Sequence, residues 1–263
     1  MERRQLGTTG LEVPVIGMGT WRTFDTDDDR RPIVDEAIAA GVDLFDSSPM
    51  YGKAEDTLAR ALEGRRDQVL VATKVWTPSA EDGRRQAEHA LDLYGHVDIY
   101  QVHNLVALED QLALLERLRD DGRVRVVGAT HYQLEALAAL MEVMRSGRLG
   151  MVQVPYNPVR PQVREALLPL AEELGLGVLV MSPLQYGVLD AQPSHEVLAD
   201  LGVETWAEAV LKWIASDRRV SCVLTATQTP GRITANARAG DGPWFTDEQR
   251  ALVEEVVAEA RIS

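Results

Sequence analysis

Cysteine and lysine are scarce in this chain. Cys222 is the single cysteine among 263 residues, which excludes an intrachain disulfide and a thiolate metal cluster. Three lysines, Lys53, Lys74 and Lys212, stand against 24 arginines. Where only positive charge is wanted this sequence writes arginine, so a retained lysine points to a compact ammonium with an adjustable pKa. No basic run offsets the formal net charge of −14, which argues against a nucleic-acid or anionic-membrane partner. Nowhere does the chain reach the roughly 18 consecutive apolar residues of a membrane span. The opening Met1–Gly7 is not followed by the apolar stretch of a signal peptide. The expectation is a cytoplasmic protein, monomeric by default because no interface signature stands out.

Several catalytic signatures are missing too. His89, His96, His103, His131 and His195 show neither HExxH nor other paired-ligand spacing, so metal-dependent hydrolysis is a poor reading. There is no G-x-S-x-G elbow and no G-x-x-x-x-G-K-[ST] phosphate loop. Gly17 and Gly19 are spaced as in a dinucleotide fingerprint, but Arg22 stands where the third glycine belongs.

What is present is a regular alternation of short apolar runs with longer amphipathic segments. Candidate strands are Val15–Gly19, Leu44–Asp46, Val69–Lys74, Val97–His103, Val124–Ala129, Met151–Pro155, Gly177–Ser182 and Val220–Ala226. Between them lie helical stretches such as Arg30–Ala40, Ala54–Leu62, Leu108–Asp121 and Leu134–Ser146, whose methionines read as core filler. Eight strand–helix units in succession imply a closed (β/α)8 barrel with a parallel sheet. Residues 4–14 contain a turn flanked by extended pieces, expected to form an N-terminal hairpin on the barrel floor. Thr246-Asp247-Glu248-Gln249 has the form of a capping box for an extra C-terminal helix to about Ala260. No linker or repeat interrupts the chain, so residues 1–263 read as one domain, with Cys222 in its core.

Barrels of this kind carry chemistry at the carboxyl ends of their strands. Those ends supply Asp46, Lys74 and His103 from three neighbouring strands, with Tyr51 on the loop after Asp46. A free phenol has a pKa of about 10 and is a reluctant acid near neutrality. A lysine beside it favours the phenolate and lowers that value, a carboxylate holds that lysine, and an imidazole can orient a carbonyl oxygen. The set suits protonation of a carbonyl, and a redox cofactor must then supply the hydride.

These motifs resemble the aldo-keto reductase family over nearly the whole chain. The resemblance rests on Leu6-Gly7-Thr8-Thr9-Gly10-Leu11-Glu12-Val13, Gly17-Met18-Gly19-Thr20-Trp21, Phe45-Asp46-Ser47-Ser48-Pro49-Met50-Tyr51-Gly52, Ala72-Thr73-Lys74 and Gln101-Val102-His103-Asn104. It implies that Asp46, Tyr51, Lys74 and His103 form a catalytic tetrad with Tyr51 as acid–base residue. It also implies a nicotinamide cofactor held by Gly19, Thr20, Asp46, Thr130, His131 and Gln153, and by Met181, Ser182, Leu184 and Gly187. His131 replaces the family's usual asparagine, and Met181 replaces a common aromatic. Thr227, Arg232 and Asn236 keep the spacing of the family's adenosine-phosphate site, which points to NADPH rather than NADH although Ala226 replaces a lysine found in some relatives. Trp21, Met50, Trp76 and Trp244 are expected to line an apolar substrate pocket, left open by the short loop Asn104–Ala107. The implied function is reduction of aldehydes or ketones to alcohols. The alternative is a cofactor-binding sensor or partner subunit with vestigial catalysis.

Overall fold

A computed structural model describes residues 1–261. Strands β1 (Arg3–Gln5) and β2 (Glu12–Pro14) pair antiparallel as a short hairpin. Strands β3 (Ile16–Gly19), β4 (Leu44–Asp46), β5 (Leu70–Val75), β6 (Val97–His103), β7 (Val124–Thr130), β8 (Met151–Pro155), β9 (Gly177–Met181) and β10 (Cys222–Thr225) close a parallel barrel in the order β10-β3-β4-β5-β6-β7-β8-β9. The joining helices include α1 (Arg31–Ala39), α2 (Ala54–Ala61), α3 (Ala80–Tyr94), α4 (Leu108–Asp120) and α5 (Leu137–Arg145). They continue with α6 (Gln162–Glu173), α7 (His195–Leu201), α8 (Trp206–Ala215), α9 (Arg232–Ala237) and α10 (Asp247–Ala260). The last begins at the expected capping box, in which Thr246 Oγ1 accepts from Gln249 N and Gln249 Oε1 accepts from Thr246 N.

The period-two alternation of a strand divides the core in two. Val71, Tyr100, Val102, Val127, Val152 and Val180 pack outward in the large cluster shared with the helices. Leu44, Ala72, Ile99, Val126, Met151, Leu179, Cys222 and Leu224 form a separate cluster together with Leu6, Leu11 and Val13 of the hairpin region. The first set meets the helical layer and the second fills the barrel, so the hairpin seals its amino-terminal floor. Close packing there needs glycine: a Cβ on Gly128 would overlap the Met151 sulfur, which occupies that space.

Leu6 is fully buried in this floor cluster. Leu6→Ala is expected to cost about 2–5 kcal/mol by leaving a cavity that strand ends cannot collapse to fill. Urea denaturation checks this, and an unchanged midpoint would show that the hairpin packs only loosely. No helix among the described residues is long and apolar enough to cross a membrane.

Candidate active site

Two residues beyond each apolar interior position, the same alternation points a polar side chain inward at the carboxyl end of the barrel. Leu44 leads to Asp46, Ala72 to Lys74, and Ile99 to Gln101 and then His103. Parallel pairing sets Lys74 opposite Gln101 and His103 opposite Thr130. Lys74 is 1% exposed and Asp46 3%. Removing two charges from water is costly unless they meet, and they do: Lys74 Nζ donates to Asp46 Oδ2 at 2.6 Å and to Ser47 O at 2.7 Å. Asp46 Oδ1 accepts from Gln101 Nε2 at 3.2 Å, and Oδ2 from Gln153 Nε2 at 3.3 Å. The carboxylate is thus held by one cation and two carboxamides.

Tyr51 ends a single 3-10 turn, Pro49–Tyr51, capped by Ser48. Ser48 Oγ accepts from Met50 N at 3.2 Å, and Ser48 O accepts from Tyr51 N at 2.9 Å. The following Gly52 has φ 64°, and a Cβ there would run into the Asp25 carboxylate, which itself accepts from Lys53 N at 3.0 Å. These contacts bring the Tyr51 ring to 5.2 Å from Lys74 Nζ and edge-on to His103, with ring centroids 6.0 Å apart.

Burial raises the Tyr51 pKa above its ordinary value, and the opposing pull of Lys74 does not cancel that rise. This corrects the expectation of a net-lowered phenol. Physically, the proton stays on Tyr51 until it is needed, and the attraction of Lys74 acts on the phenolate that transfer creates. Burial also works to lower the Lys74 pKa, but Asp46 and Tyr51 outweigh it and hold the ammonium charged. His103 is pushed down to about 3 by burial and by the Lys74 charge, so its imidazole is neutral and offers a hydrogen bond rather than a labile proton.

A cavity of about 620 Å³ opens above these groups. Asp46, Tyr51, His103 and Gln153 lie in its wall with Gly19, Thr20, Met181, Ser182, Leu184 and Arg232, as do Trp21 and Met50 at the rim. Thr20 is fixed by its hydroxyl, which donates to Ser47 Oγ at 2.9 Å. Lys74 sits behind the wall rather than in it. Gln153 Oε1, in the wall, and Thr130 Oγ1, on the neighbouring strand but outside the wall, are buried polar atoms without a partner among the described residues. Such atoms are costly unless something completes them, and a carboxamide has the donors to do so.

Other positions expected at the site fall elsewhere. Trp244 is a correction: its Nε1 donates to Glu2 Oε2 at 3.0 Å, and the Arg4 guanidinium lies 4.7 Å from its ring centroid. It packs beside the amino-terminal hairpin because two arginines and a carboxylate there satisfy both its ring and its N–H. Trp76 follows β5 but is 41% exposed and outside the cavity wall, with its backbone tied to the Gln86 side chain. His131 also lies outside the wall: its ring stacks on Tyr132 at 5.7 Å, and Nδ1 accepts from Gln133 N at 3.1 Å. Gly187 starts a 3-10 turn at φ 79°. Thr227 braces the turn before α9 by accepting from Thr229 N, and Asn236 lies along that helix. Glu36 holds the start of α9, accepting from Gly231 N at 2.9 Å and Thr234 Oγ1 at 3.0 Å.

The structure adds wall residues beyond the expected site set, among them Asn104, Tyr132, Tyr186 and Leu189. Asn104 and Tyr186 have φ of 54° and 64°, uncommon for residues with a side chain. Tyr186 is braced by Arg160, whose guanidinium lies 3.5 Å from its ring centroid. Gln101 could have been found from the sequence, since it stands one inward position before His103.

The description of the aldo/keto reductase family matches residues 15–258 of this chain. The chain belongs to that family. Membership carries with it nicotinamide-dependent oxidoreduction as the class of reaction. An aldo-keto reductase of Mycobacterium sp. (strain KMS) is 32% identical over 240 residues, covering 86% of this chain and 83% of the relative. Aldo-keto reductase YhdN of Bacillus subtilis (strain 168) is 29% identical over 221 residues, 74% of this chain and 66% of its own length. Among solved structures, an aldo-keto reductase from Klebsiella pneumoniae in complex with NADPH superimposes with a TM-score of 0.81. It is 21% identical, and the match covers 98% of this chain and 96% of that one. The chain therefore shares the barrel of these aldo/keto reductases.

Proposed function

We propose that this aldo/keto reductase uses NADPH to reduce small aldehydes and ketones with apolar substituents to alcohols, with Tyr51 as the general acid. One observation carries the reading: the Tyr51 phenol and the His103 imidazole line one cavity, with the buried Lys74 ammonium, paired to Asp46, behind the phenol. When bound, the nicotinamide would supply a hydride to the carbonyl carbon. Thr130 and Gln153 would hold its carboxamide, the Met181–Leu184 segment would flank the phosphates, and Arg232 would meet the 2′-phosphate.

His103 donates a hydrogen bond to the carbonyl oxygen and fixes its direction. Tyr51 donates to the same oxygen and passes its proton as negative charge develops there. Lys74 then stabilises the phenolate, while Asp46 keeps the ammonium charged and in place. The expected substrate class follows from the rim, where Trp21 is 38% exposed, Met50 42% and Tyr132 47%. Apolar side chains turned toward water at a cavity mouth gain by covering an apolar substituent. Arg232 is the one cation in the cavity wall among the described residues, and it lies on the α9 side.

The test is multi-turnover oxidation of NADPH with a panel of neutral, apolar and phosphorylated aldehydes. Neutral apolar members are expected to turn over best. Arg232→Ala is expected to weaken NADPH binding about 10- to 100-fold through the lost charge-assisted contact, with little effect on NADH. Equal loss for both cofactors would remove Arg232 from the 2′-phosphate role. A second reading is favoured by His131, whose ring is turned onto Tyr132: a cofactor-binding sensor with vestigial catalysis. Tight NADPH binding without turnover of any aldehyde would select it.

A further inference from the structure

Ser48 has no assigned part in the chemistry, yet it is fully buried and its Oγ lies 3.0 Å from His103 Nδ1. A hydroxyl has one proton to give and two lone pairs to offer. One lone pair is taken by the amide of Met50, which donates to Ser48 Oγ at 3.2 Å. The proton needs an acceptor within the protein, since water does not reach this atom. Among the described residues its partner is the ring nitrogen of His103.

Resting on the carbonyl-reductase reading above, we propose that Ser48 is a positioning residue that sets the tautomer of His103. The Ser48 hydroxyl donates to Nδ1, so the single ring proton of the neutral imidazole resides on Nε2. With Nδ1 engaged on the protein side, Nε2–H is the group left to face the cavity, where it donates to the substrate oxygen. In the opposite tautomer an acceptor lone pair would face the carbonyl oxygen, and two lone pairs would repel. The neutrality of the ring, with its pKa pushed down to about 3 by burial and Lys74, is what makes the choice of tautomer matter. The arrangement is economical in sequence: one serine caps the turn that delivers Tyr51 and also fixes the donor state of His103.

The experiment reads the tautomer directly, by long-range proton–nitrogen correlation of the His103 ring in the 15N-labelled full chain, assigned with His103→Asn. The wild type is expected to show protonated Nε2 and bare Nδ1. Ser48→Ala is expected to give a mixture of tautomers and a fall in kcat of about two- to threefold, in proportion to the share of rings that lose the correctly aimed donor. Ser48→Asp offers only acceptors to Nδ1 and is expected to move the proton there, with a larger fall in kcat. Ser48→Thr keeps the hydroxyl and is expected to retain the wild-type tautomer, separating loss of the donor from disturbance of the turn. A wild-type ring protonated at Nδ1, or one that keeps Nε2–H in both the Ala and Asp variants, overturns the proposal. The spectra decide this whether or not aldehydes prove to be the substrates, so the two readings can fail separately.

Discussion

Tyr51→Phe is expected to lower kcat by about 10²–10⁴-fold, the usual contribution of a positioned general acid. The change removes one oxygen and leaves the ring, so the contacts to His103 and to the face above Lys74 persist. Lys74 keeps its bonds to Asp46 and Ser47, and no buried charge loses its partner. Folding and NADPH affinity should therefore stay near those of the wild type. Fluorescence titration and steady-state turnover on the same preparation check both halves. Activity within a few-fold of wild type would mean that the proton comes from elsewhere, and the reading of the site would go with it.

Lys74→Met should behave quite differently, damaging stability as well as turnover. Methionine fills much of the space but leaves the Asp46 carboxylate buried, with only the Gln101 and Gln153 amides as donors. Orphaning one partner of a buried ion pair costs about 3–5 kcal/mol. Adding Asp46→Asn removes the stranded charge, so the double variant should recover part of that stability while remaining inactive. Chemical denaturation of the two single variants and the double variant measures the coupling. If stability losses simply add, the ion pair is not the reason these residues are buried together.

Much of the fold was legible because the apolar runs were short, evenly spaced and separated by amphipathic stretches. The strands Val97–His103 and Met151–Pro155 end where the sequence reading ended them. The terminal strand was read too long, Val220–Ala226 against Cys222–Thr225, because pattern alone does not say where pairing to β9 and β3 stops. Leu134–Ser146 begins as a 3-10 turn before α5, a local tightening with no apolar signature.

The site divides in the same way. Asp46, Lys74 and His103 sit at strand ends, and strand ends are readable from alternation. Tyr132, Tyr186 and Leu189 lie between strands and helices, where alternation gives no guide; the course at Tyr186 depends on left-handed backbone and on stacking with Arg160, distant in sequence. Trp244 was misplaced because a tryptophan in a terminal segment fits the mouth or the floor equally well until Glu2, Arg4 and Arg218 are seen around it. The direction of the Tyr51 shift was missed because a nearby charge can be read from sequence, whereas desolvation cannot.

The sealed floor gives the barrel a direction of traffic. With Leu6, Leu11 and Val13 packed against the side chains that fill the barrel, whatever enters the cavity must come and go across the carboxyl rim rather than through the floor.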